Sequence, residues 1–176
     1  MSRGYRIEVP LQVARGTVTG SDSLSICIDV LPILPEGDMR DIVRKTLKDR
    51  GWKEGKDGTL EKPLGDGATA VLEKDGQTVT VKLETSQEVQ GQGRTDQEAN
   101  SALEQRKEQA EKEAKARATR QLARAEPAVR SELDDAVQRV YVEALKQKAA
   151  QMGSVTSMQE TKSSDGSLEI TIKVKA

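Results

Sequence analysis

The chain has no histidine and no phenylalanine, one cysteine, one tryptophan and two tyrosines among its 176 residues. Each shortage removes a class of function. Without histidine, Ser-His-Asp and Cys-His nucleophile activation cannot be assembled within one chain, and a structural zinc site loses its usual nitrogen ligand. A single cysteine, Cys27, excludes an internal disulfide framework and fits a reducing compartment. So few aromatic rings leave almost no stacking surface for bases or sugars, and a core must be filled by Leu, Ile, Val, Ala and Met.

Long hydrophobic runs are lacking too. No segment approaches the roughly 20 apolar residues of a membrane span, and the N-terminus opens on alternating residues instead of an apolar secretory stretch. The expected location is cytoplasmic, with no membrane contact. Charge of one sign is also missing: 28 basic and 29 acidic residues leave a net charge of -1, and with it no field for steering toward nucleic acid or anionic lipid. What is plentiful is charge of both signs. At 32% charged and 35% hydrophobic, the chain is more polar than an average globular domain, so part of it is strongly solvated.

Period-two alternation marks the strands. Tyr5, Ile7, Val9, Leu11 and Val13 alternate with polar residues, and Pro10 places that strand at an edge. After the turn signals Gly16 and Gly20-Ser21-Asp22, a second strand follows on Leu24, Ile26, Ile28 and Val30, which predicts a hairpin. Two more strands are predicted at Ala68 to Glu73 and Gln77 to Glu84, joined at Lys74-Asp75-Gly76. Leu168, Ile170, Ile172 and Val174 close the chain in a hairpin turning at Ser164-Asp165-Gly166.

Period 3.6 marks the helices. Met39, Ile42, Val43, Thr46 and Leu47 fit a short helix between Asp38 and Gly51. From Thr85 to Gly93 the sequence is Gln-rich and dotted with glycine, which reads as a linker, and Thr95-Asp96-Gln97-Glu98 is a capping box. The helix it opens, to Ala125, is laced with i,i+4 pairs such as Glu108 with Lys112. Pro127 predicts a break, followed by a second long helix from Ala128 to Met152 with an apolar stripe on Val129, Leu133, Val137, Val140, Tyr141, Ala144 and Leu145.

Candidate sites are few. Gly91 and Gly93 precede a helix, but no Lys-Ser or Lys-Thr follows, so a phosphate loop is not indicated. Cys27 has no cation beside it in sequence to lower its thiol pKa, and Asp38 with Asp41 fits helix capping. Arg106, Arg117, Arg120 and Arg124 share one face of the first long helix, a spacing suited to phosphate contacts. A thin stripe of Ala99, Leu103, Ala110, Ala114, Ala118 and Leu122 runs along the same helix. Alanines allow close helix approach while burying little area, so this stripe is the expected partner-binding face, its partner being either the second long helix folded back as a hairpin or another protein chain.

The stretch Asp134-Asp135-Ala136-Val137-Gln138-Arg139-Val140-Tyr141, its helix ending at Gly153, and the hairpin Asp165-Gly166-Ser167-Leu168-Glu169-Ile170 resemble a small family of cyanobacterial and algal-plastid proteins. The run Ile42-Val43-Arg44-Lys45-Thr46-Leu47-Lys48-Asp49-Arg50-Gly51-Trp52 is similar to that family's first helix. Relatives of this family are implied to occur in bacterial ternary systems built around MoxR-like or FtsH-like AAA ATPases. The resemblance therefore implies an accessory or adaptor subunit.

These readings predict an α+β fold, a mostly antiparallel sheet with one short helix and two long helices. Residues 1–90 are expected to form the N-terminal α+β part of the core, 91–126 a polar helical arm, and 127–176 a core helix with a C-terminal β-hairpin completing the sheet. The expected function is a non-enzymatic interaction or adaptor subunit, without catalytic residues, cofactor or metal. Its expected partner is a protein: the AAA ATPase, one of its associated subunits, or a second copy. Two alternatives stay open, a nucleic-acid-associated protein using the arginine-lined helix and an enzyme working through carboxylates or a Ser-Lys pair.

Overall fold

The computed structural model of the protein describes residues 10–164 and 167–175. Seven strands and two α-helices are formed among them: β1 (Gln12–Cys27), α1 (Glu36–Asp49), β2 (Lys53–Glu54), β3 (Leu60–Pro63), β4 (Ala68–Leu72), β5 (Thr78–Gly93), α2 (Asp96–Met152), β6 (Ser154–Lys162) and β7 (Leu168–Lys175). Five strands make one sheet in the order β1-β5-β4-β3-β2, and β6 with β7 makes another. The α+β expectation holds in this broad form. The chain divides into two compact units, each assembled from separated stretches.

The first unit takes the stretch ending at Ser23, Asp66–Ala68 and Lys82–Arg124. Here β1 does not turn at Gly16 or Gly20, as the glycines led us to expect, but runs straight through both. Alternate positions, among them Val18 and Gly20, are buried, while Arg15, Thr17, Thr19 and Ser21 are exposed. The stretch expected to be a linker is likewise strand, because β5 continues to Gly93 with Val89 and Gly91 buried and Glu88, Gln90 and Gln92 exposed. Glycine inside a strand marks a close backbone approach as readily as a turn. The capping box is formed: the Glu98 N–H donates to Thr95 Oγ1 at 3.2 Å, and Glu98 Oε2 accepts from the Arg94 N–H at 2.8 Å. Val18, Val89, Leu103 and Ala110 form the unit's apolar cluster.

The second unit takes Leu24–Gly65, Thr69–Val81 and the chain from Ala125. Helix α1 starts two residues before Asp38, on Pro35, and buries the five positions its periodicity marked, Met39, Ile42, Val43, Thr46 and Leu47. It stops at Gly51, whose φ of 89° suits glycine and lets the Trp52 N–H reach back to the Leu47 carbonyl at 3.1 Å. The short strands β2 and β3, which the sequence reading did not foresee, pair antiparallel, and β3 pairs antiparallel with β4. Asp75 closes the β4–β5 turn by accepting from the N–H groups of Gln77 and Thr78, both at 2.9 Å.

Pro127 does not break the helix. α2 is one helix with Pro127 inside it, so the two expected long helices are one. A proline there removes one hydrogen bond, at a cost of about 3 kcal/mol. Buried stripes on both sides offset this, Ala118 and Leu122 before it and Val129 and Leu133 after it. The Glu126 to Arg130 ion pair spans the proline at 2.7 Å. The C-terminal hairpin differs from expectation as well. β6 and β7 pair in a sheet of their own, so the hairpin does not complete the five-stranded sheet. The turn expected at Asp165-Gly166 and the strand expected from Tyr5 to Val9 lie outside the described residues.

Candidate partner-binding groove

The alanine stripe, the sequence's candidate for partner binding, is covered by the chain itself. Ala99, Leu103, Ala110, Ala114, Ala118 and Leu122 are all buried. A Cβ added to Gly93 would lie 2.5 Å from the Ala99 nitrogen, and one added to Gly91 would lie 2.8 Å from the Leu103 Cα. The small residues of α2 thus meet glycines of β5 in the same unit, and the helix is not a projecting arm. The arginines are placed otherwise. Arg106, Arg117, Arg120 and Arg124 are exposed on α2, and Arg106 donates to the Gln90 carbonyl at 2.7 Å.

Partly exposed apolar side chains gather within the second unit. Leu31, Ile33, Gln138, Tyr141, Leu145, Leu168 and Ile170 line an open groove of about 480 Å³. Three elements build it: the segment after β1, α2, and β7. Gln138, Tyr141 and Leu145 recur at helical spacing on α2, while Leu168 and Ile170 stand on the same face of β7. Leu31 is 65% exposed. Its backbone is nevertheless held, because the Leu31 N–H donates to the Tyr141 hydroxyl at 3.2 Å and that hydroxyl donates on to the Asp29 carbonyl at 3.5 Å. The groove was partly visible in the sequence, since Tyr141 and Leu145 belong to the periodic stripe. Leu31 and Ile33 carried no signal, lying in a short segment with neither period.

Among the described residues the carboxylates whose pKa departs from the ordinary value are all lowered, and none lines the groove. Asp22 is held down by the Thr119 hydroxyl, Glu54 by the Lys48 ammonium, Asp75 by the Thr78 hydroxyl and Glu108 by the Lys112 ammonium. A carboxylate shifted this way stays ionised and is a weak proton donor or acceptor near neutral pH. Among the described residues no group of three or more Cys, Asp or Glu side chains is placed to hold a metal ion, and Cys27 is exposed.

A family model for the FtsH ternary system domain X5 matches residues 1–176. The chain belongs to that family. Membership associates it with the other components of an FtsH ternary system, which agrees with the FtsH-like side of the resemblance; the match says nothing of cyanobacteria or plastids. No curated protein and no solved structure matches the chain. No described helix of this family member is long and apolar enough to cross a membrane.

Proposed function

We propose that the chain is a non-enzymatic interaction subunit of its FtsH ternary system, acting in the cytoplasm. In this reading it docks an apolar segment of another component, the AAA ATPase or one of its associated subunits, in the groove beside Tyr141. The observation that carries the reading is Leu31, a 65% exposed leucine whose backbone is pinned by a tyrosine hydroxyl over an apolar groove. A chain whose family takes its description from a ternary system has a use for such a surface. The lack of histidine supports a role without chemistry. The arginine face draws less support as a nucleic-acid surface, since one of its four heads already binds a backbone carbonyl.

Co-expression with the co-encoded system components tests the proposal. Leu31→Glu should abolish co-purification while leaving the melting temperature unchanged, because the side chain is already solvated. Undiminished co-purification would remove the groove from the reading. Nucleotide or peptide turnover by the purified chain, lost on substituting one of its own carboxylates, would remove the word non-enzymatic.

A further inference from the structure

Strand β7 has β6 as its one neighbour among the described strands, and none of them pairs with its other edge. The Ser163 N–H donates to the Ser167 carbonyl at 2.9 Å, which fixes the phase of the ladder. With pairs Thr161–Glu169, Gln159–Thr171 and Ser157–Lys173 in register, residues 169, 171 and 173 turn their amides toward β6. The Lys173 carbonyl accordingly accepts from the Thr156 hydroxyl at 3.1 Å. Leu168, Ile170, Ile172 and Val174 therefore direct their N–H and C=O groups to the open edge. A two-stranded sheet is marginal alone, and the apolar face of β7 is only half-buried.

We infer that this edge pairs with β7 of a second copy of the chain, antiparallel about a two-fold axis at Thr171. That register sets Glu169 opposite Lys173 of the second copy, and Lys173 opposite its Glu169. The residues with open amides meet each other, Ile170 against Ile172 and Leu168 against Val174, so the ladder closes with hydrogen bonds where it needs them. The half-buried apolar faces of the two β7 strands join into one continuous surface. Other registers are poorer. A two-fold at Glu169 or at Lys173 opposes like charges. One at Ile170 leaves Glu169 against Thr171, and one at Ile172 joins Glu169 to Lys175 but leaves Leu168 without an opposite strand residue. The charge order along β7 is thus self-complementary, which selects a second copy over an unrelated strand. The inference concerns the edge of β7 and does not rest on the groove reading.

The full chain tests it. Its mass in solution, followed by light scattering over a concentration series, should be that of a dimer. Glu169→Lys and Lys173→Glu, each alone, oppose like charges twice and should raise the dimer dissociation constant about tenfold. The double exchange should restore it. Within the hairpin these residues face uncharged Thr161 and Ser157, so circular dichroism should be unchanged in all three variants. Thr171→Cys in a Cys27→Ser background should form a disulfide-linked dimer on mild oxidation, because the two-fold brings residue 171 against itself. A chain that stays monomeric, including one whose edge is taken by another component instead, overturns the inference. So does a dimer indifferent to the single exchanges, or one whose Thr171→Cys variant fails to cross-link.

Discussion

Gly20 of β1 lies so close to Ala114 of α2 that a Cβ built on the glycine would stand 2.5 Å from the Ala114 carbonyl carbon and 2.7 Å from its methyl group. The Thr85 hydroxyl is 3.2 Å from both carbonyl oxygens, those of Gly20 and Ala114, and so ties strand to helix at this point. Gly20→Ala should therefore destabilise the protein by about 1–3 kcal/mol, the usual range for overpacking. Urea denaturation measures it. Gly37, with nothing within 4 Å, is the control: Gly37→Ala in α1 should stabilise by about 0.5 kcal/mol. Ala114→Glu should be worse than Gly20→Ala, since it forces a charge into the same contact.

Removing the proline from α2 should strengthen the protein. Pro127 is exposed, so its replacement by alanine leaves no cavity, and the restored N–H can bond within the helix. We expect Pro127→Ala to gain about 1–3 kcal/mol in chemical denaturation. No gain would mean the chain does separate into two helices at this residue.

Glu132 of α2 accepts two hydrogen bonds in a half-buried setting, from Lys62 Nζ at 2.6 Å and from Trp52 Nε1 at 3.2 Å. Glu132→Ala takes the acceptor from the indole N–H, leaves Lys62 to the Arg50 carbonyl at 3.4 Å, and should cost about 1–3 kcal/mol. Glu132→Gln keeps an acceptor for the indole and should lose less. Trp52 is the single tryptophan, so its fluorescence reports directly on the contact during unfolding.

Acid should loosen the β4–β5 turn. The Thr78 hydroxyl and the Gln77 and Thr78 N–H groups hold the Asp75 pKa below its usual 3.8. A carboxyl lowered in the folded state contributes stability that is present above the unfolded value and is lost as pH falls through the folded one. The loss should appear below about pH 4. Asp75→Asn should flatten that part of the curve while leaving the pH 5 to 8 range parallel to wild type, as checked by thermal melts across pH.

The elements that the sequence made legible are those with local causes. The capping box at Thr95 and Glu98, the stop at Gly51 and the Asp75-Gly76 turn each act within a few residues, and each forms where expected. The errors share one cause: a residue whose meaning depends on something distant in the chain. Gly20 read as a turn because Ala114, the residue that needs it small, stands on another element. The alanine stripe read as an outward face for the same reason. Pro127 was judged by its missing donor, with no sight of the buried stripes on either side. The hairpin's alternation was plain, whereas its sheet partner was not, because period two gives the face of a strand and not its neighbour.

The assembly of the first unit from separated stretches also fixes when it can form during synthesis. The Thr119 hydroxyl donates to Asp22, 97 residues away in sequence, at 2.5 Å. At about 5 to 20 residues per second, β1 leaves the ribosome roughly 5 to 20 s before the helix that covers it. For that interval a 16-residue strand waits with its buried face uncovered. Its exposed positions are mostly threonine and serine, with Arg15 among them, side chains that give a nascent chain little reason to adhere to another while the rest is made.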